Sequence, residues 1–166
     1  MNFDPATTAS FTGHRTYCGE AARLTDLTVE RLTRDGITDF LCGMAVGFDM
    51  AAAESVMRMR TLLADRTVRL TAVVPFRGQE SRFTAAEQSR YRRILAAADC
   101  VIYLAERYSP ECYMRRNDFL VDNSSVTVAW YDGSPKGGTR YTVRRAQRLG
   151  RRIINLRPAE QMEIEF

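Results

Sequence analysis

Three glycine-bearing segments carry the residues best equipped for chemistry, and each directly follows an apolar run. They are Thr12-Gly13-His14-Arg15, Gly43-Met44-Ala45-Val46-Gly47-Phe48-Asp49 and Asp132-Gly133-Ser134-Pro135-Lys136-Gly137-Gly138-Thr139. The second and third run on into helical patterns. Glycine lets backbone N–H groups approach an anion closely, and a helix start offers unpaired donors with a partial positive charge. Thr139 and Lys136 add a hydroxyl and an ammonium to the third segment. The chemistry this spacing suits is the holding of phosphate by backbone amides. It calls for no cofactor and no metal: the four cysteines, at 18, 42, 100 and 112, form no CxxC pair and no cluster with histidine. Buried thiols are the expectation for Cys42 and Cys100, which sit in apolar runs.

Several side chains near these segments have two readings. Asp49 is a ligand group or simply a helix cap. His14, the single histidine, offers proton transfer near neutral pH or a hydrogen-bonding or stacking role. Arg15 is a phosphate contact or a solvated arginine. Tyr113, Arg116 and Asn117 begin a helix at the same edge. Arg116 suits a phosphate clamp and Asn117 a reader of ribose or base, with structural roles open for both. Asp132 accepts from ribose hydroxyls or only shapes its turn. Arg90, Arg92 and Arg93 read as a solvated helix face, and Trp130 and Phe76 as core.

These segments need a scaffold that gathers them, and the pattern supplies one. Short apolar runs at 9–12, 40–42, 68–75, 100–104, 126–131 and 152–156 alternate with helical patterns at 20–34, 49–64, 83–98, 114–121 and 139–149. Strand–helix alternation with short connections predicts an α/β fold: a Rossmann-like three-layer sandwich around a mainly parallel sheet of about six strands. In such sheets ligands bind beyond the carboxyl ends of the strands, where all three glycine segments fall.

The chain has 166 residues and 45% hydrophobic content, enough for one domain over 1–166. It contains no run of about eighteen apolar residues and no basic-then-apolar start, so a cytoplasmic location without a membrane partner is expected. The net charge of +4 comes almost wholly from arginine, since Lys136 is the only lysine. Arginine suits anionic partners, but its spread along the chain argues against a dedicated nucleic-acid surface. A homo-oligomer stays open.

In order along the chain, Phe11-Thr12-Gly13-His14-Arg15, Gly43 to Asp49, Pro75-Phe76 with Gln79, Arg116-Asn117, Asp132-Gly133 and Gly137-Gly138-Thr139 together resemble the SLOG superfamily, in its YpsA/YoqJ-like branch, over about 10–157. The resemblance implies a Rossmann-like fold that binds a nucleotide or an NAD- or ADP-ribose-like ligand. Relatives in the wider superfamily include phosphoribohydrolases and the DNA-processing protein DprA. Against the hydrolases the chain departs: Thr142 stands where their catalytic glutamate falls, and Met114 and Arg115 replace the histidine and glutamate beside the arginine matched by Arg116. Glycosidic hydrolysis needs a carboxylate, so binding or sensing of a small phosphorylated, nucleotide-like ligand is the leading expectation. The alternative is a nucleotide N-glycosidase with Asp49, Asp122 or Asp132 as its carboxylate and Arg116 beside it. Single-stranded DNA binding as in DprA comes next, and sequestration of a nucleotide immune signal is a further reading for prophage members.

Overall fold

Each apolar run becomes a strand and each amphipathic run a helix in the computed structural model, which describes residues 2–157. Met1 and 158–166, assigned by sequence to the same domain, lie outside the described residues. The order is β1 (Thr8–Gly13), α1 (Ala22–Arg34), β2 (Asp39–Cys42), α2 (Phe48–Leu62), β3 (Arg69–Val74), α3 (Ala85–Ala97), β4 (Cys100–Tyr103), α4 (Cys112–Asp122), β5 (Val126–Trp130), α5 (Gly138–Arg148) and β6 (Arg152–Asn155). The predicted 83–98 helix starts late because Thr84 and Glu87 form a capping box. Thr84 Oγ1 accepts from the Glu87 amide at 3.2 Å and Glu87 Oε2 accepts from the Thr84 amide at 2.8 Å. A short 3-10 turn, Gln79–Arg82, precedes it.

The sheet has six strands in the order β4-β3-β2-β1-β5-β6, every neighbouring pair parallel. This is an α/β, Rossmann-like fold. Right-handed crossovers explain its layers. From β1 to β4 the chain steps outward in one direction, which sets α1, α2 and α3 on one face. It then returns to β5 beside β1 and steps the other way, which sets α4 and α5 on the opposite face. Accordingly α1 packs on α2 and α4 packs on α5. Strands buried on both faces read as continuous apolar runs, and β5 is buried along its whole length. Phe11 stacks on Phe40 of the neighbouring strand at 6.1 Å between centroids and meets Phe48 of α2 at 6.4 Å. Among the described residues no helix is long and apolar enough to cross a membrane.

The strand order reverses between β1 and β5. That reversal opens a crevice at the carboxyl edge, because the chain leaves the two adjacent strands toward opposite faces.

Candidate functional site

Register fixes the middle of the crevice. Gly13 pairs with Trp130, so β1 and β5 end level and the residues just beyond them meet. His14 Nε2 lies 2.8 Å from Asp132 Oδ1 and 3.1 Å from the Asp132 amide nitrogen. One nitrogen cannot donate and accept at once: with Nε2 unprotonated it accepts from the Asp132 amide, and with Nε2 protonated it donates to the closer, ionised carboxylate. Trp130 and Tyr131 flank the imidazole at 5.9 and 5.8 Å between ring centroids. The Ser134 hydroxyl and amide both donate to Asp132. With His14 and Arg157 nearby, they hold its carboxyl well below the usual carboxylate range.

A cleft of about 710 Å³ opens over this pair. Of the residues singled out in the sequence, Thr12, Gly13, His14, Arg15, Ala45, Asp49, Arg116, Asn117, Asp132, Gly138 and Thr139 line it, with Tyr113 beside them. Phe11 and Ser134, which belong to the quoted segments without an assigned role, also line it, together with Thr16 and Leu120, which were not foreseen. Helical periodicity carried the signal for Leu120, which lies on the α4 face shared by Tyr113, Arg116 and Asn117.

The glycines at 43 and 47 do other work than anion binding. A Cβ on Gly43 would lie 2.8 Å from Arg116 Cδ, and Arg116 Nη1 donates to the Gly43 carbonyl. Gly47, at φ +84°, brings its backbone against the β1–α1 loop, where a Cβ would lie 2.6 Å from the His14 carbonyl oxygen. Even Gly13, on the cleft wall, is tight against Phe48, which a Cβ would meet at 2.5 Å. Met44 is fully buried at φ +63°, and its carbonyl accepts from Gln79 Nε2 at 2.7 Å. Here close approach of protein to protein explains the glycines, and the cleft receives only Ala45 and Asp49 from this segment. Gly133, Lys136 and Gly137 are exposed on the loop before α5 and lie off the cleft wall.

Asp122 is not a site residue. It ends α4, about 15 Å along the helix from the first turn. Both of its carboxylate oxygens accept from Arg145 at 2.9 Å. The arginines are also less dispersed than the sequence suggests. Arg140, Arg144 and Arg148 recur every fourth residue on one face of α5, where with Gly137 they line a surface groove of about 300 Å³. None of the three has an ion-pair partner among the described residues. Phe76 is only partly buried and packs with Tyr108 and Tyr113, whereas Trp130 is core as expected.

Three helices begin at the cleft, and they differ in charge. The α2 start has Asp49 in its first turn, 5% exposed, with Oδ2 accepting from the Ala45 amide at 3.3 Å. Burial pushes the Asp49 carboxyl up to about 6, although Arg116, the Ala45 amide and Arg15 pull the other way. The α5 start is bare: Gly137 at its N-cap supplies no side-chain cap, and the first turn holds no acid. Arg116, on α4, is 6% exposed, and its desolvation works against its charge while Asp49 supports it. Its Nε donates to Asn117 Oδ1 at 2.8 Å. The positive end of α2 is thus already balanced by the protein's own carboxyl, while that of α5 is not.

A sequence model of the YspA SLOG family (YpsA) matches residues 23–156. The chain belongs to that family. Within the YspA SLOG family and around it, the SPbeta prophage-derived protein YoqJ of Bacillus subtilis strain 168 is 28% identical over 151 residues, which is 82% of this chain and 86% of YoqJ. A UPF0398 protein of Bacillus cereus strain B4264 is 30% identical over 118 residues, covering 70% of this chain and 63% of that protein. Among solved structures, DNA processing protein A (DprA) of Streptococcus pneumoniae superposes with a TM-score of 0.66 at 15% identity, covering 97% of this chain and 52% of DprA. DprA of Helicobacter pylori, described with a single-stranded DNA binding mode, gives 0.62 at 16%, covering 90% of this chain and 64% of that one. At such identities the shared feature is the fold. This chain spans about half to two thirds of these DprA chains.

Proposed function

We propose that the chain binds a small nucleotide-derived ligand, a nucleoside phosphate or an NAD- or ADP-ribose-like molecule. Its phosphate lies on the bare N-terminus of α5 and its sugar lies toward Asp49 and the His14–Asp132 pair. The observation that carries this reading is the uncapped start of α5, with Gly138 and Thr139 on the wall of a cleft that also holds buried Arg116. Unpaired amides, a helix dipole and a desolvated guanidinium together favour an anion. Sugar hydroxyls are donors that an ionised carboxylate accepts, which suits Asp132 and, above its protonation range, Asp49.

Isothermal titration against AMP, NAD, ADP-ribose and cyclic ADP-ribose variants tests the reading, and uniform absence of binding refutes it. Gly138→Pro isolates the amide. Proline is well tolerated at the first position of a helix, so the fold is kept while one N–H is lost. A tenfold or greater weakening is expected, from about 1.5–3 kcal/mol for a hydrogen bond to a charged group.

Two further readings each have an observation behind them. Two carboxyls in one cleft whose proton affinities are shifted in opposite directions, Asp49 raised and Asp132 lowered, suit a nucleotide N-glycosidase with Asp49 as the acid and Asp132 as stabiliser of the ribosyl cation. Thr142 gives this chemistry no help, since its hydroxyl donates to the Gly138 carbonyl at 2.9 Å. Release of free base from nucleoside monophosphates, abolished in Asp132→Asn, would establish it. The unpaired arginine row on α5 favours single-stranded nucleic acid instead, the ligand class of the Helicobacter pylori DprA. It predicts an affinity that falls steeply with salt.

A further inference from the structure

We propose that Phe76, Tyr108 and Tyr113 form a stacking platform for the base of the bound nucleotide, making the cleft selective for a nucleoside monophosphate over a bare sugar phosphate. This rests on the binding reading above and adds the part of the ligand which that reading leaves unplaced.

The three rings come from three separate segments at the carboxyl edge: Phe76 after β3, Tyr108 after β4 and Tyr113 in the first turn of α4. Their centroids lie 5.6 Å (Phe76–Tyr108), 5.9 Å (Phe76–Tyr113) and 6.3 Å (Tyr108–Tyr113) apart. Phe76 meets both tyrosines edge to face, at 75° and 77°, so it stacks on neither; the Arg116 guanidinium carbon lies 6.0 Å from the Tyr113 ring centroid, which leaves Tyr108 as the more open ring. Tyr113 lines the cleft, and Tyr108 is 62% exposed. Neither tyrosine hydroxyl has a hydrogen bond among the described residues. A large ring left in water with no polar tie gains from a flat partner.

The platform is held in place. The Arg77 amide donates to the Ala105 carbonyl at 3.1 Å, its Nε pairs with Glu106 at 3.0 Å, and its guanidinium carbon sits 3.9 Å from the Tyr103 ring centroid. These contacts tie the loop after β3 to the loop after β4, so the rings need little ordering when a ligand arrives.

A second observation points to a base. Asn117, one turn beyond Tyr113 on the same face of α4, is 8% exposed and lines the cleft. Its Oδ1 is occupied by Arg116 Nε, and its Nδ2 has no hydrogen-bond partner among the described residues. An unpartnered donor that opens to the cleft, on the same helix face as Tyr113, suits a heterocycle that both stacks and accepts. A cleft of about 710 Å³ falls in the range that encloses one small ligand, which favours a single nucleotide over a strand.

Titration of the four ribonucleoside 5′-monophosphates and of ribose 5-phosphate decides the matter. At least one monophosphate should bind about tenfold or more tightly than ribose 5-phosphate. Tyr108→Ala should weaken that nucleotide about 5- to 100-fold, the range of one base stack, leave ribose 5-phosphate unchanged, and be rescued by Tyr108→Phe. Equal affinity for all five compounds, or indifference of the nucleotide to Tyr108→Ala, overturns the platform while leaving the phosphate cleft standing. If none of the five binds, the monophosphate platform falls, and the titration against NAD, ADP-ribose and cyclic ADP-ribose variants alone decides the phosphate cleft. An oligothymidylate that outcompetes every mononucleotide and depends on Tyr108 overturns the single-nucleotide assignment in favour of nucleic acid.

Discussion

Replacing Asp49 by asparagine should stabilise the protein above neutrality and leave it nearly unchanged in acid. A carboxyl raised from its ordinary 3.8 to about 6 carries about 3 kcal/mol of differential stability, at about 1.4 kcal/mol per tenfold change in acidity. The sign follows from linkage. The folded state holds the proton more tightly than the unfolded chain, so the contribution is fully present below pH 3.8 and is lost as pH rises through about 6. Attraction from Arg116 and Arg15 is already contained in that value, and asparagine keeps an oxygen for the Ala45 amide. The variant should therefore gain about 2–3 kcal/mol at pH 8, or about 4–12 °C in Tm for a chain of this size, and close to nothing at pH 4. Urea unfolding of both proteins from pH 4 to 8 measures the difference directly. Comparing the two cancels the opposite contributions of Asp26 and Asp39, which are held below the carboxylate range. A stability difference that does not vary with pH would falsify the account of Asp49 as a buried, desolvated acid. A protein that keeps such a group ionised at neutral pH gives up stability for it, which fits a role in the cleft better than a role as a cap.

Other consequences are simpler to read. Gly47→Ala adds a clash with the His14 carbonyl to an unfavourable φ and should lose about 2–4 kcal/mol, whereas Gly133→Ala, at φ +85° with open space around it, should lose about 1 kcal/mol; equal losses in denaturant melts would refute the packing role of Gly47. Asp122→Asn should leave nucleotide affinity unchanged while Asp132→Asn weakens it about tenfold through a lost charged hydrogen bond, and titration that finds the two alike would remove Asp132 from the site. In wild type, ligand affinity should fall relative to the Asp49→Asn variant as pH drops from 8 to 5.5 through the raised Asp49 value of about 6, because protonation removes the ionised carboxylate that accepts from the sugar hydroxyls; parallel pH profiles would count against a sugar at Asp49.

Since the core residues carry their period in plain view, the alternation of apolar runs and helical patterns was enough to foresee every β-strand and α-helix of the described residues, though not the short 3-10 turns at Pro5–Thr7 and Gln79–Arg82. Boundaries moved where side chains captured backbone groups, as Thr84 and Glu87 do at the start of α3. The glycine segments marked the right edge of the sheet, but not which glycine faces ligand. Gly43 and Gly47 look like phosphate-loop residues in one dimension, and only the approach of Arg116 and of the 14–15 backbone reveals what they accommodate. The aromatic cluster had no linear signature at all, because Phe76, Tyr108 and Tyr113 lie on three segments that meet only through strand order.

What the sequence determined by itself was local and periodic: which residues prefer strand or helix, which face of each is apolar, and that chain turns rich in glycine follow the strands. What only the tertiary structure decided was which of those turns share a space. The return of the chain from β4 to β5 puts His14 beside Asp132, buries Arg116 against Gly43 and leaves the α5 start uncovered. Charge, burial and proton affinity at the cleft depend on distances between residues far apart in the chain, and no window of sequence contains those distances.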